Sequence, residues 1–150
     1  MADIIEKIPM ACDHAAYELK LKVKSMLESK GFEVVDFGTN SAESCDYPDY
    51  AHQLGRVINN GTYKRGIVMC GSGEGVSMTV NKYPNVRCGL CWETEIAHLI
   101  RQHNDANVLA LPARFISEEK AMEIVNEFLN TEFEGGRHCR RVEKINQLLK

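Results

Sequence analysis

RGIVMCGSGEGVS, residues 65–77, joins an apolar run to a series of glycines, and Cys70 stands at the junction. An apolar run of this length, followed at once by turn residues, predicts a buried β-strand over 65–70. The glycines allow the backbone to approach a ligand closely, and the residues after them predict a short helix over about 75–82. A strand, a glycine loop and a helix in this order form the repeating unit of α/β folds.

The same alternation continues on both sides of this stretch. Further strands are predicted over KIPMAC (7–12), FEVVDF (32–37), VRCGLC (86–91) and NVLALP (107–112). The spacing of apolar residues predicts helices over 15–30, 48–60 and 93–103, a helix from the N-cap Ser117 through Leu129, and a last helix over about 138–149. Five apolar strands alternating with helices predict a single α/β domain, residues 1–150, built as a three-layer α/β/α sandwich around a five-stranded parallel sheet.

Composition limits the classes of function. The chain has 150 residues, a net charge of −3 and no long block of lysine and arginine, which disfavours nucleic-acid binding. Its first residues lack the pattern of a secretory signal, and no stretch approaches the roughly 18 apolar residues of a membrane span. We expect a cytoplasmic protein with reduced cysteines. Within it, Cys88 and Cys91 of the CGLC sequence are expected to be buried strand thiols and not a redox or zinc motif.

The glycine loop does not match the common nucleotide motifs. It is not a Walker A loop, and Val76 stands at the third glycine position of the dinucleotide fingerprint, although Glu93 lies where a ribose-binding acid would. A general anion-binding loop of backbone N–H groups fits better. The positive end of the following helix should favour a thiolate at Cys70, while a buried thiol at the end of a strand is an equally good interpretation. Glu74 is unexpected there, because a carboxylate repels an anionic ligand.

Three other polar groups are candidates for binding or catalysis. Asp13 and His14 follow the first strand at the same sheet edge as the glycine loop, although Asp13 also suits a helix N-cap. His103 ends a predicted helix in the sequence RQHNDAN, where it either acts as an acid–base group or caps the helix. Arg137 and Arg141 share one helical face with no acid between them, which suits either a phosphate clamp or a solvated basic turn.

Six segments occur in an order that points to a known family. They are CDH (12–14), GTNSAESCDYPDYA (38–51), CGSGEGVS (70–77), NKYPNVRCGLC (81–91), RQHNDANVLALPAR (101–114) and FEGGRHCRRVEKI (133–145). Together they resemble the ribose-5-phosphate isomerase type B family, which includes the allose- and galactose-6-phosphate isomerases. The resemblance covers essentially the whole chain. It implies reversible aldose–ketose isomerisation of a sugar phosphate, without a metal or other cofactor, by a Rossmann-like α/β/α homodimer.

The resemblance also implies roles for individual residues. Cys70 corresponds to the general base that moves a proton between C1 and C2 of the sugar, and His103 corresponds to the group that opens the furanose ring. Ser72 and the loop backbone would stabilise the enediolate oxygens. The remaining substrate-binding positions are the loop residues Gly71, Gly73, Glu74 and Gly75, the polar residues Asp13, His14, Tyr47 and Asn104, and the arginines Arg114, Arg137 and Arg141.

Two residues depart from the family pattern, Glu74 in the loop and Pro112 at the end of the last strand. Some branches of the family lack the cysteine and use a nearby glutamate as the base. Glu74 is not at the position of that glutamate, so the cysteine branch is indicated. The expected substrate is a pentose phosphate. A hexose-6-phosphate isomerase and a non-catalytic module that binds sugar phosphates or nucleotides are the alternatives.

The predicted topology separates the two acid–base candidates. Cys70 ends a strand, and the helix 93–103 starts at that edge of the sheet and runs back. At a rise of about 1.5 Å per residue the helix carries His103 roughly 16 Å away, to the opposite edge. If both residues serve one site, a partner chain must supply His103 and Asn104. This predicts a homodimer with shared sites and leaves open whether dimers pair into tetramers.

Overall fold

The computed structural model describes residues 4–147. Its strands are β1 (Lys7–Cys12), β2 (Glu33–Asp36), β3 (Gly66–Cys70), β4 (Cys88–Leu90) and β5 (Val108–Pro112). Its helices are α1 (Tyr17–Ser29), α2 (Tyr47–Asn59), α3 (Glu74–Val80), α4 (Thr94–Gln102), α5 (Glu118–Asn130) and α6 (Arg137–Gln147). None of these helices is both long and apolar enough to cross a lipid bilayer.

The strands form one sheet in the order β2-β1-β3-β5-β4, and every pairing is parallel. The direction of winding reverses between β1 and β3, and in such sheets ligands bind outside the carboxyl ends of the strands at this reversal. Cys12 lies opposite Met69, and Cys70 lies opposite Pro112, so the carboxyl ends of β1, β3 and β5 are side by side. The predicted five-stranded parallel α/β fold is confirmed.

Alternate side chains of each strand build two separate halves of the core. In β3, Ile67 and Met69 pack in the half that includes residues of α1, α4 and α5. Val68 and Cys70 pack in the half that includes residues of α2 and α3. The sheet is therefore the middle layer of three, as its continuous apolar strands predict. Cys70 faces the layer that contains the helix directly after the glycine loop.

Several predicted boundaries were wrong by one or two residues. The strand predicted over 86–91 is shorter, because the N–H of Val86 closes a turn onto the Tyr83 carbonyl and the N–H of Arg87 donates to the side chain of Asn107. The helix predicted from residue 15 begins at Tyr17, after a 3-10 turn over His14–Ala16. The last helix begins at Arg137, and the final residues of its predicted range lie outside the part of the chain that the structure describes.

A buried lysine fixes the segment next to the end of β1. The Lys20 side chain is fully buried, and its Nζ lies 2.7 Å from Asp36 Oδ1 and 2.5 Å from the Thr39 carbonyl oxygen. The N–H of Thr39 donates to the Cys12 carbonyl at 2.8 Å, and the N–H of Cys12 donates to Gly38 at 2.7 Å. These bonds hold the backbone immediately before Asp13.

Candidate active site

An open cavity of about 520 Å³ lies at the carboxyl ends of β1, β3 and β5. Its lining residues are distant in sequence, but the parallel topology places them at one edge of the sheet. Its lining consists of Asp13, Tyr47, Cys70, Gly71, Ser72, Glu74, Gly75, Met78, Arg114 and Phe115. Eight of these ten are predicted site residues, so most of the expected site forms within one chain.

Cys70 is the last residue of β3 and is 5% exposed, with its side chain bordering the cavity. Its carbonyl accepts the N–H of Ala113 at 2.9 Å, and the Gly71 carbonyl accepts the N–H of Arg114 at 2.9 Å. These bonds bring the Arg114 side chain over the loop, where a Cβ on Gly71 would lie 3.2 Å from its Nη1. A guanidinium cation is therefore held against the start of the glycine loop, in the cavity that Cys70 also lines.

The loop itself turns tightly into α3. Gly73 has φ of +75°, and a Cβ there would lie 3.1 Å from the carbonyl carbon of Leu111, so only glycine fits both the backbone and the space. Ser72 is exposed, and its Oγ accepts the N–H of Glu74 at 3.3 Å. Glu74 is exposed as the first residue of α3, so its carboxylate lies at the rim of the cavity instead of inside the loop.

Three predicted polar residues flank this loop. Asp13 is 8% exposed and caps the 3-10 turn by accepting the N–H of Ala15 at 3.0 Å, yet it also borders the cavity. Tyr47 begins α2, and its ring packs against Gly75, where a Cβ would lie 2.5 Å from the ring carbon Cζ. His14 is next to Asp13, and its Nδ1 accepts the N–H of Cys45 at 3.2 Å.

The other predicted residues form a second group at the end of α4 and the start of α6. His103 is the C-cap residue of α4, and its backbone N–H donates to the Leu99 carbonyl at 2.9 Å. Its ring stacks on the His138 ring, with centroids 4.4 Å apart and planes 13° apart. The segment before α6 is tied to α4 by a bond from the Glu134 N–H to the Gln102 carbonyl at 3.0 Å. Arg137 and Arg141 are exposed, one turn apart, on α6.

His138 lies in a cationic environment. Burial lowers the pKa of His138, and the nearby charges of His103, Arg137 and Arg141 lower it further, while Glu134 opposes them. A neutral imidazole is thus favoured between the two arginines. The same charges would attract an anion, since the guanidinium groups at this end of α6 are exposed to solvent.

These two groups occupy opposite edges of the sheet. Cys70 lies opposite Pro112, the last residue of β5, whereas His103 comes five residues before Val108, the first residue of β5. Asn104 lines a separate cavity of about 340 Å³ with Arg87, Cys88, Ile100 and Ile145 among its neighbours. Within one chain the structure therefore does not bring His103, Asn104 or the α6 arginines to Cys70.

Comparison with known proteins matches this arrangement to a family. The model of a family described as Ribose/Galactose Isomerase matches residues 8–145. The chain belongs to the ribose/galactose isomerase family. The resemblance noted from the six sequence segments is confirmed.

Several members of the isomerase family are similar to this chain over nearly their full length. Ribose-5-phosphate isomerase B of Escherichia coli is 42% identical over 144 residues, covering 96% of this chain and 97% of the relative. A Thermotoga maritima ribose 5-phosphate isomerase structure is 50% identical with a TM-score of 0.92, covering 95% of this chain and 99% of that one. The Mycoplasma genitalium isomerase B, solved with bound ribulose-5-phosphate, is 39% identical with a TM-score of 0.91 over 95% of each chain.

Sequence reasoning missed four residues of the two groups. Met78 and Phe115 border the cavity of Cys70 and are 64% and 75% exposed. Met78 lies one helical turn after Gly75, and Phe115 directly follows Arg114. Their closeness to these two predicted site residues is the signal that could have identified them. Glu134 and His138 lie four residues apart around the start of α6. In this segment the sequence pattern indicated only the arginines.

The two cysteines of the CGLC sequence differ in burial. Cys91, just beyond β4, is fully buried as predicted, whereas Cys88 within β4 is only half-buried. Burial raises the pKa of the Cys91 thiol to about 12. A thiol held in its protonated form is a poor nucleophile and a poor metal ligand, so this pair does not fit a redox or zinc role.

Proposed function

We propose that this isomerase interconverts ribose 5-phosphate and ribulose 5-phosphate through an enediolate. The observation that carries the proposal is the Mycoplasma genitalium relative with bound ribulose-5-phosphate, which is 39% identical over 95% of each chain. The name of the Escherichia coli relative, at 42% identity, supports the same substrate. The cavity of this chain contains a thiol, a glycine loop and a guanidinium, which suit proton abstraction next to a carbonyl.

The proton transfer is assigned to Cys70. Its thiolate removes the proton from C2 of the open-chain aldose and leaves an enediolate. Return of that proton to C1, with transfer of the hydroxyl proton from O2 to O1, gives the ketose, so no oxidant or reductant is required. The Ser72 hydroxyl and the loop N–H groups from Gly71 to Gly75 would donate hydrogen bonds to the enediolate oxygens as negative charge develops there. Asp13 and Tyr47 would hold the sugar hydroxyls.

Ring opening and phosphate binding are assigned to the second group. A furanose must open before the proton on C2 becomes acidic. An imidazole ordinarily has a pKa near neutral pH, so this type of side chain can move a proton from the anomeric hydroxyl to the ring oxygen. His103 is proposed for this step, with Asn104 beside it. Arg137 and Arg141 are proposed to bind the phosphate together with His14, and Arg114 is a further substrate-binding arginine. The remote phosphate would supply binding energy that positions the reacting carbons.

A homodimer is part of this proposal. Because Cys70 and His103 lie at opposite edges of the sheet in one chain, a complete site requires the partner's His103. A two-fold dimer supplies it twice, since each chain then gives its second group to the other chain. Exposed apolar side chains on the helices of the second group support such a contact: Ile145 on α6 is 52% exposed and Leu99 on α4 is 36% exposed. A cytosolic location is proposed as well, because all six cysteines are free thiols.

The experiment that tests the proposal is a substrate panel. The protein is incubated with ribose 5-phosphate, allose 6-phosphate and galactose 6-phosphate, and the ketose products are measured. We expect the pentose phosphate to have the highest kcat/KM. Preference for a hexose phosphate would instead support the second candidate, a hexose-6-phosphate isomerase, since the family description names galactose as well as ribose. Binding of all three sugars without any product would contradict both.

A further inference from the structure

The second group contains a cluster of potential metal ligands. One ligand atom from each of His103, Glu134 and His138 lies within 4.8 Å of the other two. Glu134 Oε2 is 3.9 Å from His103 Nε2, and Glu134 Oε1 is 3.9 Å from His138 Nε2. These separations are too long for hydrogen bonds. The three side chains therefore converge without satisfying one another.

His138 supplies an independent sign that a ligand position is present. Its side chain is 6% exposed, and its Nε2 is buried without a hydrogen-bond partner among the residues that the structure describes. Buried polar atoms in native proteins nearly always have a partner, so this nitrogen indicates an interaction still to be made. It is the same nitrogen that faces Glu134.

We propose that His103, Glu134 and His138 bind one divalent transition-metal ion, with zinc as the representative. Two imidazoles and one carboxylate are a common zinc ligand set that leaves a fourth position open. Ligand atoms around a tetrahedral zinc lie about 3.3 Å apart, so ligand atoms that are now within 4.8 Å of one another must approach by up to about 1.5 Å. The nearby charges of Arg137 and Arg141 oppose a cation, and the Glu134 carboxylate offsets them in part.

One ring must turn for the ion to bind. The two rings are stacked with planes only 13° apart, and the lone pair of a ring nitrogen lies in the plane of its ring. A single ion cannot lie in both planes unless one ring rotates. His103 can do so, because its side chain is 38% exposed at the end of α4. Binding should therefore break the stacking of His103 on His138.

Inhibition is the expected consequence. A metal ion on His103 removes the imidazole that the proposed function uses for ring opening, so zinc should slow the isomerase. This consequence rests on the proposed function, whereas metal binding does not. The two are therefore tested by separate measurements.

Binding is tested by calorimetry with zinc chloride on full-length, tag-free Cys70→Ser protein, which removes the active-site thiol as a competing ligand. We expect one zinc per chain and at least a tenfold weaker Kd in Cys70→Ser variants that also carry His138→Gln or Glu134→Gln. His98→Gln is the matched control, because His98 Nδ1 lies 2.6 Å from Glu127 in another His–Glu pair outside the cluster. Circular dichroism checks that each variant is folded.

A cobalt titration of the same proteins identifies the ligands. Absorption from tetrahedral cobalt without a thiolate charge-transfer band is expected, because the proposed ligands are nitrogen and oxygen. Three results would overturn the site: no zinc binding, an unchanged Kd in both double variants, or a thiolate band. The last would place the ion on one of the remaining cysteines.

Inhibition is then measured on the wild-type enzyme with ribose 5-phosphate. Zinc should lower kcat, and EDTA should restore it. The half-inhibitory zinc concentration should rise at least tenfold in Glu134→Gln and should be unchanged in His98→Gln. Equal inhibition of both variants would show that the ion acts elsewhere. If the wild-type protein has no isomerase activity, the proposed function fails while calorimetry still decides the metal site.

Discussion

Cys70 differs from the other buried cysteines in what surrounds its thiol. Cys12 and Cys91 are fully buried in the apolar core, and burial raises the pKa of each thiol to about 12. Cys70 is also buried in the core, but it borders the open cavity beside Arg114 and the loop amides. A general base must contact the substrate in order to accept its proton. Among these three thiols only that of Cys70 belongs to a residue that lines the cavity.

Removal of the Cys70 thiol should abolish turnover and leave ligand binding intact. We expect Cys70→Ala to lower kcat by about 10²–10⁴-fold, the usual contribution of a general base. The affinity for ribulose 5-phosphate, measured by calorimetry, should be unchanged because the proposed phosphate ligands are elsewhere. Cys91→Ala removes a buried thiol that does not line the cavity and serves as the control. Near-normal turnover by Cys70→Ala would refute the assignment of the base.

Burial should also protect the core cysteines from alkylation. A pH of 8 is far below the raised pKa of about 12 of the Cys12 and Cys91 thiols, so almost none of either thiol is present as thiolate. The exposed Cys139 should react with iodoacetamide quickly, whereas Cys12 and Cys91 should react only after unfolding. Peptide mapping by mass spectrometry measures this difference. Rapid native-state labelling of Cys91 would revive a redox role for the CGLC sequence.

At the scale of elements, the site depends on how the end of β1 is held. Lys20 on α1 is fully buried and bonds to Asp36 at the end of β2 and to the Thr39 carbonyl. The segment over residues 38–39 is in turn bonded to Cys12, one residue before Asp13. One buried ion pair thus connects a helix, two strands and a residue of the cavity. A lysine with helical spacing gives no such signal in the sequence, because most lysines are exposed.

Breaking this pair should destabilise the whole domain. Lys20→Met leaves the Asp36 carboxylate, whose side chain is only 15% exposed, without its closest partner. We expect the free energy of unfolding to fall by about 3–5 kcal/mol, as for other buried pairs that lose one member. Urea denaturation monitored by circular dichroism measures the loss.

Lys22→Met is the matched control for this change. Lys22 is also on α1, and its 2.8 Å pair with Glu118 of α5 joins two side chains that are about half exposed. Loss of this pair should cost about 0–1 kcal/mol, as for other exposed pairs. Similar losses in the two variants would contradict the structural role assigned to Lys20.

At the scale of the whole molecule, the proposed enzyme is complete only as a dimer. One chain brings together the group around Cys70, which is proposed to transfer the proton. The group around His103, which is proposed to open the ring and bind the phosphate, lies at the opposite sheet edge. Either group alone lacks a function that the reaction needs. The proposed mechanism therefore requires a dimer, and activity measurements can test this requirement.

Mixing two inactive variants provides that test. Cys70→Ala and His103→Ala homodimers should each be inactive, but a heterodimer has one site with both residues intact. After subunit exchange of equal amounts, about a quarter of wild-type activity should return, because half of the dimers are mixed and each has one working site. Size-exclusion chromatography confirms that the chains are dimeric. A mixture that exchanges subunits and remains inactive would show that the sites are not shared.

The sequence by itself determined the fold and most of the residues that line the cavity of Cys70. Continuous apolar strands alternating with helices leave few topologies open, and parallel strands place Asp13 and Cys70 at one edge without any knowledge of packing. The sequence also predicted a glycine loop after β3, and the structure adds that Gly73 has a positive φ and a close backbone neighbour.

Only the tertiary structure decided the environment of individual side chains. It placed the Glu74 carboxylate at the cavity rim, buried Lys20, and brought His103, Glu134 and His138 together from α4 and α6. Lys20 meets Asp36 from sixteen positions away and His103 meets Glu134 from thirty-one, in both cases through packing between elements. Periodicity predicts which face of an element is apolar, but it does not predict which polar groups meet when those faces pack.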